Sequence, residues 1–354
     1  MQETNNISET TALKPKPRLD EVTLMRTILA LLIVFMHSFT CYNGSWAQPA
    51  GYVEIPLYKW LTRTSFAFTL EAFVFLSGYL FAFQRITLQR VEGFGKLTIN
   101  KLKRLILPSI IFSVLYFGLF FEYKGVGNAA YSIINGCGHM WYLPMLFWCF
   151  VGGWLLEQVK IKDGWKMAFL MVLNLIPKYT LPLQLSAACS YMVYFYAGFL
   201  FYKHSDRIKP LITSRRLVIL WSVFVVFFVV FRPLRDVLVT NDSQSLYLKL
   251  MVYVGNNACQ LLYALVGLIA FYGTAVCFTQ SHQLSETTKK IAACCFGIYL
   301  FQQFVLQLLY YKTDFPLWVG PYWLPWLGFI IALIVSYVLS VLLLRTKIGK
   351  SLIG

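Results

Sequence analysis

Two ionisable side chains in the first long apolar stretch are the first candidates for chemistry. Arg26 and His37 lie eleven residues apart in LMRTILALLIVFMHSF. In an α-helix this spacing covers about 20° more than three turns and about 16 Å of axis, so both side chains lie on one stripe. Because ionisable groups inside a membrane helix often mark a functional site, the pair favours a shared cavity with His37 as general base. Snorkelling of Arg26 and a helix–helix hydrogen bond by His37 are the alternatives.

The second apolar stretch adds a carboxylate, Glu71, at a predicted depth similar to that of His37. A carboxylate beside an imidazole can fix its tautomer and stabilise the imidazolium, so we predict that Glu71 orients His37 in catalysis. Pairing of Glu71 with Arg63 is the alternative. Ser77 and Gly78 in the same stretch are interpreted as a site of close helix packing, since a nucleophilic role for Ser77 is the weaker hypothesis.

A basic segment, KLTINKLKRLILP, precedes the third apolar stretch and contains Lys103 and Arg104. Both residues are predicted to lie at the same membrane face as Arg26. Guanidinium groups bind phosphate oxygens in a bidentate way, and ammonium groups bind them as point charges. Arg26, Lys103 and Arg104 therefore predict a site for a phosphorylated donor. Positive-inside anchoring and binding of anionic lipid headgroups are the alternatives.

The segment GCGHMWYLPMLF opens the fourth stretch, on the predicted outer side of the membrane. Its residues His139, Trp141 and Tyr142 are candidates for binding an acceptor. The aromatic-rich segments 42–58 and 315–326 could cover the face of a sugar. Trp and Tyr are also common at membrane interfaces as anchors, which explains these aromatic residues equally well.

These residues must be positioned by membrane helices, each of which needs about 20 apolar residues. The sequence contains about ten such stretches, which predicts an all-α, polytopic helix bundle. The stretches are 24–42, 65–83, 105–121, 140–156, 167–177, 191–202, 217–231, 258–278, 291–310 and 323–344. The fifth and sixth are short, and residues 246–257 could lengthen the eighth.

The distribution of basic residues predicts the orientation of the bundle. Most of the 31 Lys and Arg residues fall in segments that lie inside if both termini are cytoplasmic, which is typical of an N-in, C-in protein. We therefore expect a cytoplasmic polar tail over residues 1–19 and a transmembrane domain over 20–354. The expected location is the cell inner (plasma) membrane.

Composition excludes several other classes of protein. Of the 354 residues, 58% are hydrophobic and 13% are charged, against about 45–50% and about 25% in soluble proteins, so the chain needs a lipid bilayer as solvent. The net charge of +16 does not indicate nucleic-acid binding, because the basic residues lie in short loops between apolar stretches. The eight Cys and four His residues show no metal-ligand spacing, so no metal is expected.

At five places, in order, the chain resembles the acyltransferase 3 family of membrane O-acyltransferases. Arg26 and His37 match its R-x10-H motif in the first helix. The other matches are EAFVFLSGYLF, KRLILP, HMWYLP and FGIYLFQ. The chain departs from the family pattern at Glu71, where Asp is usual, at Lys101, where Arg is usual, and at Gln302, where His is usual. Thr23 also stands where the family often has Asp.

The resemblance implies a fold of about ten membrane helices and the transfer of an acyl group, most often acetyl, from acyl-CoA to an envelope carbohydrate. In the resulting hypothesis, the CoA phosphates lie near Arg26, Lys103 and Arg104. His37, oriented by Glu71, removes the proton of a sugar hydroxyl as that oxygen attacks the thioester. An acyl-His37 intermediate is an alternative. A transporter of lipid-linked sugars or small anions and a scaffold without chemistry are the rival functions.

Overall fold

The computed structural model describes residues 19–65, 67–176, 181–239 and 246–353, and all regular elements in these ranges are helices. They are α1 (Asp20–Ser38), α2 (Pro56–Ser65), α3 (Thr69–Ile86), α4 (Phe94–Lys101), α5 (Leu107–Phe120), α6 (Val126–Asn135), α7 (Tyr142–Gln158), α8 (Asp163–Leu175), α9 (Leu185–Lys203), α10 (Ser205–Ile208), α11 (Ser214–Val239), α12 (Leu246–Ser281), α13 (Glu286–Tyr311), α14 (Phe315–Arg345) and α15 (Lys347–Ile353). The predicted all-α fold is confirmed. The predicted polar tail lies outside the described residues except at its last position, Leu19.

Nine helical stretches of the described residues are long and apolar enough to cross a bilayer, so the chain is a multi-pass membrane protein. The prediction of about ten differs at the fifth stretch, 167–177, whose last residue, Pro177, lies outside the described residues. There the structure has α8, whose 13 residues rise about 20 Å, less than the roughly 30 Å hydrocarbon core. An even number of crossings, which the N-in, C-in orientation requires, depends on α8. That orientation stays a prediction.

Helix α1 lies inside the bundle and packs against α3, α12, α13 and α14. Its buried residues include Met25, Leu29 and Val34, none of which is accessible to solvent. Because other helices surround α1, its polar residues face protein or internal space, which lowers the cost of holding ionisable groups at membrane depth. The fold therefore places Arg26 and His37 in the interior.

Helices α3 and α9 cross at two glycines. A Cβ atom at Gly78 would lie 1.8 Å from the carbonyl oxygen of Phe195, and one at Gly198 would lie 2.0 Å from that of Phe75. Small residues permit such close approach of membrane helices, where van der Waals packing stabilises association. The structure supports the interpretation of Gly78 as a packing site.

A π-helical segment, Leu102–Ile106, joins α4 to α5. Pro108 explains its position, because a proline has no N–H for the carbonyl four residues earlier and its ring clashes with that carbonyl in a regular helix. The carbonyl in question belongs to Arg104. The wider turn, closed by Leu107 N–H donating to the Leu102 carbonyl, accommodates the proline. Single π turns are frequent at functional sites, and this one carries Lys103 and Arg104.

The two aromatic-rich segments 42–58 and 315–326 are in contact with each other. Pro325 lies inside α14 and has no N–H, so the carbonyl of Pro321 has no donor from the helix. Tyr42 supplies one, with its hydroxyl 2.6 Å from that oxygen. This contact supports a structural role for these aromatic residues.

We predict that Gly198→Ala destabilises the protein, because its Cβ would force apart the backbones of α3 and α9. Overpacking typically costs about 1–3 kcal/mol, and here the clash is with backbone. Thermal unfolding of the purified, detergent-solubilised protein should show a lower Tm. Gly118→Ala on α5 is the matched control, since its Cβ would meet no atom within 4 Å. Equal Tm values for the two variants would contradict the close crossing.

Candidate active site

His37 lies at the end of α1, where three other segments of the chain meet it. The Trp46 ring, from the loop after α1, is stacked at a centroid distance of 6.0 Å and an angle of 6°. The His139 ring lies 6.2 Å away at 61°. The amide of Gln302 in α13 also interacts with the imidazole. His37 therefore faces polar protein groups rather than lipid.

His139 is held in a tight 3₁₀ turn directly before α7. Gly136 and Gly138 in this turn have φ angles of +87° and +56°, a region that residues with a Cβ rarely adopt. A Cβ at Gly136 would also lie 2.5 Å from a backbone nitrogen of the same turn. The Cys137 N–H donates to Ser113 Oγ of α5 at 3.0 Å. The GCGH sequence thus forms a fixed turn that buries His139.

Helix α13 holds this turn by three hydrogen bonds to His139. The backbone N–H of His139 donates to Gln303 Oε1 at 2.8 Å, and the Tyr299 hydroxyl donates to its carbonyl. Its Nε2 lies 3.1 Å from the Leu300 carbonyl oxygen. A carbonyl oxygen only accepts, so Nε2 carries the proton, and Nδ1 of the neutral ring presents a lone pair. This Nδ1 is buried and has no hydrogen-bond partner among the described residues.

The three acceptor candidates of the fourth stretch are separated by the fold. His139 is only 4% exposed and lies beside His37 in the interior. Tyr142 lines an internal cavity. Trp141 packs instead against Tyr191 of α9, at a centroid distance of 6.1 Å. The segment before α7 therefore places His139 in the interior and directs Trp141 towards α9.

An apolar cavity of about 240 Å³ lies between α1, α3, α7 and α13. Arg26 and Ile33 of α1 line it, and these two positions share one stripe of the helix with His37. Tyr299 also lines the cavity, and its ring contacts that of His139 at 5.0 Å. The cavity therefore lies on the Arg26 side of α1, and Tyr299 stands between it and His139; His37 and His139 are not among its lining residues.

The Arg26 guanidinium is open to a ligand in this cavity. It interacts with the thiol of Cys295 and is a member of none of the ion pairs found in the described part of the chain. A cation in a mostly apolar cavity interacts strongly with any anion or carbonyl that enters, because the surroundings screen it poorly.

A second cavity of about 230 Å³ is strongly basic. Arg85, Arg90, Lys101 and Arg104 line it, together with Glu92. It lies next to the apolar cavity along α3 and the π-helical segment. Leu80 and Leu105 line the apolar cavity, and their sequence neighbours Phe81 and Arg104 line the basic one.

The predicted donor residues therefore take three different positions. Arg26 lines the apolar cavity and Arg104 lines the basic one. Lys103 is exposed and is not among the residues that line either cavity. Its neighbour Lys101 lines the basic cavity instead, with its Nζ 3.4 Å from the centroid of the Phe150 ring.

Glu71 is 6% exposed and lies in the first turn of α3. It interacts with Tyr191 and Tyr194 of α9. The polar neighbours of His37 are His139 and Gln302, and the orientation of His37 by Glu71 stays a prediction. Depth along two helices can be estimated from sequence, whereas the direction in which each side chain points depends on how the helices rotate against each other.

Sequence comparison with known families identifies the type of protein that carries this arrangement. A family model described as an acyltransferase domain matches residues 19–345, nearly the whole chain. The chain belongs to the acyltransferase 3 family. The resemblance predicted from the five motifs is confirmed, and the protein is a membrane acyltransferase. No match was found among curated proteins or among solved structures.

Sequence reasoning missed one polar neighbour of His37, Gln302, which it noted only as a departure from the family pattern. The signal was the departure itself, a polar side chain in the middle of an apolar helix. Across the described residues, no three His, Cys, Asp or Glu side chains are grouped as metal ligands would be.

We predict that Gln303→Leu releases the His139 turn, because the buried N–H of His139 would lose its acceptor. An unsatisfied buried donor costs about 1–3 kcal/mol, so the Tm of the purified acyltransferase should fall. Gln307→Leu, the same substitution one turn along α13 at a partly buried position, is the control. If both variants unfold at the same temperature, the bond from His139 to Gln303 does not hold the turn.

Proposed function

We propose that the protein transfers an acyl group, most often acetyl, from acyl-CoA to a hydroxyl group of an envelope polysaccharide or lipid-linked sugar, in the cell inner (plasma) membrane. The observation that supports this most directly is the pair of adjoining cavities. One is basic, the other is apolar and contains Arg26, and Tyr299, which lines the apolar one, contacts the ring of His139. A nucleotide, a pantetheine arm and a thioester would be bound in that order.

The donor binds across both cavities in this proposal. Phosphate groups of CoA contact Arg104 and the basic residues around it, because guanidinium groups form paired hydrogen bonds with phosphate oxygens. The pantetheine arm and acyl group enter the apolar cavity past Arg26. The N-in orientation predicted from the loop charges gives this end of the molecule access to cytoplasmic acyl-CoA.

The acceptor hydroxyl binds between His37 and His139. His37 removes its proton as the oxygen forms a bond to the thioester carbon. The tetrahedral intermediate then expels the sulfur of CoA, which takes the proton from the His37 imidazolium. The products are the acyl ester and free CoA thiol. The lone pair on His139 Nδ1 accepts a hydrogen bond from another hydroxyl group of the acceptor and helps to orient it.

Recognition of the acceptor involves Glu71, Trp141 and Tyr191 in this proposal. A carboxylate accepts hydrogen bonds from several hydroxyl groups, and the two aromatic rings lie 6.1 Å apart, next to the turn that carries His139. Polar groups placed around an apolar face are typical of sites that bind small polar ligands with specificity.

We predict that His37→Ala lowers acyl transfer by about 10²–10⁴-fold, the usual contribution of a general base, while the protein stays in the membrane. The measurement is transfer from acetyl-CoA to envelope glycans extracted from cells that lack the gene, followed by mass spectrometry. His282→Ala, at an exposed histidine stacked on Phe278, is the control. Normal product formation by His37→Ala would exclude this mechanism.

For the donor, we predict that Arg104→Ala raises the KM for acetyl-CoA by about 10-fold, since hydrogen bonds to charged groups contribute about 1.5–3 kcal/mol and exposure weakens them. Lys103→Ala is the matched variant, with the same loss of charge one residue away but outside both cavity linings. Its KM should change less. Equal effects of the two substitutions would indicate a general effect of surface charge instead of a phosphate site.

A further inference from the structure

Gln302 is fully buried in the middle of α13, with 0% exposure. Tyr299 and Gln303 on the same helix bind the turn that carries His139, whereas the Gln302 amide interacts with His37 of α1. Neither Oε1 nor Nε2 of Gln302 has a hydrogen-bond partner among the described residues, and the same is true of His37 Nδ1. The two side chains are therefore close to each other without a formed hydrogen bond.

Burying Gln302 and His37 without hydrogen bonds destabilises the protein, which favours a functional reason for keeping them there. A buried polar group without a hydrogen bond costs about 1–3 kcal/mol, and a leucine at this position of an apolar helix would avoid that cost. Catalytic hydrogen bonds are often long or poorly aligned before the substrate binds and become shorter in the complex. A small movement of α13 or of the side chain would give both Gln302 and His37 a partner.

We propose that Gln302 is the residue that positions His37. Its Oε1 accepts an N–H of the imidazole and so fixes the tautomer in which the other ring nitrogen faces the acceptor hydroxyl. This inference rests on the proposed function, in which His37 is the general base. It assigns to Gln302 the role that the sequence suggested for Glu71.

An orienting amide differs from an orienting carboxylate in charge, and this difference can be measured. Trp46, His139 and Gln302 face His37, and none of them is an anion. On its own helix, the nearest cation in sequence is Arg26. A carboxylate introduced at Gln302 would place an anion beside the imidazole and would stabilise its protonated form.

The test is the pH dependence of acyl transfer from acetyl-CoA by the full chain carrying Gln302→Glu, Gln302→Leu or Gln307→Glu. An opposite charge within about 4–6 Å shifts a titration by about 1–3 pH units. The acidic limb of the kcat profile, where His37 becomes protonated, should therefore move up by about one unit or more in Gln302→Glu. Gln302→Leu should lower kcat by about 10- to 100-fold at unchanged KM. Gln307→Glu should leave the limb in place.

One result would overturn the inference: a Gln302→Glu profile that superimposes on that of the wild type. If the acidic limb also moves to lower pH in Glu71→Gln, the orienting role returns to Glu71.

A second measurement needs no turnover. NMR of histidine-labelled protein reports the protonation midpoint of His37, assigned with His37→Ala, and that midpoint should rise in Gln302→Glu. An unchanged midpoint would overturn the inference even if a variant is inactive. By contrast, absence of acyl transfer by the wild type would contradict the proposed function, and the NMR titration would still decide the role of Gln302.

Discussion

Docking of the His139 turn onto α13 is the interaction on which the site depends. In a bundle surrounded by lipid, buried backbone N–H and C=O groups must find their partners inside the protein, because no water is present to replace them. The three bonds from α13 to His139 satisfy that requirement for the turn. They also fix which nitrogen of His139 carries the proton and bring its ring to His37.

The cavities extend this arrangement towards the other end of α1. A basic space and an apolar space adjoin along α3 and the π-helical segment, and Pro108 accounts for that segment by removing one helical hydrogen bond. Pro108 therefore accounts for the π-helical turn that carries Arg104. Close crossing with α9 at Gly78 and Gly198 holds α3, which contributes residues to both cavities.

The helical fold and the position of Arg26 and His37 on one helix could be predicted from the sequence. The burial of His139 and the contact of Gln302 could not, and both outcomes have physical reasons. Apolar stretches reveal membrane helices because lipid requires them, and the spacing of Arg26 and His37 fixes their common stripe because α1 is unbroken. Burial of His139 could not be predicted, since it depends on a turn that α13 and α5 hold in place. The contact of Gln302 with His37 depends on helix rotation, which similar depth in the membrane does not determine.

The central claim is that the donor lies across the two cavities with its acyl carbon at the histidine pair. Electron cryomicroscopy of the protein in lipid nanodiscs, with a non-hydrolysable thioether analogue of acetyl-CoA, tests it directly. The account predicts density for the phosphates beside Arg104, for the arm past Arg26, and for the acyl carbonyl between His37 and His139. Density for the analogue elsewhere, or a carbonyl remote from both imidazoles, would contradict it.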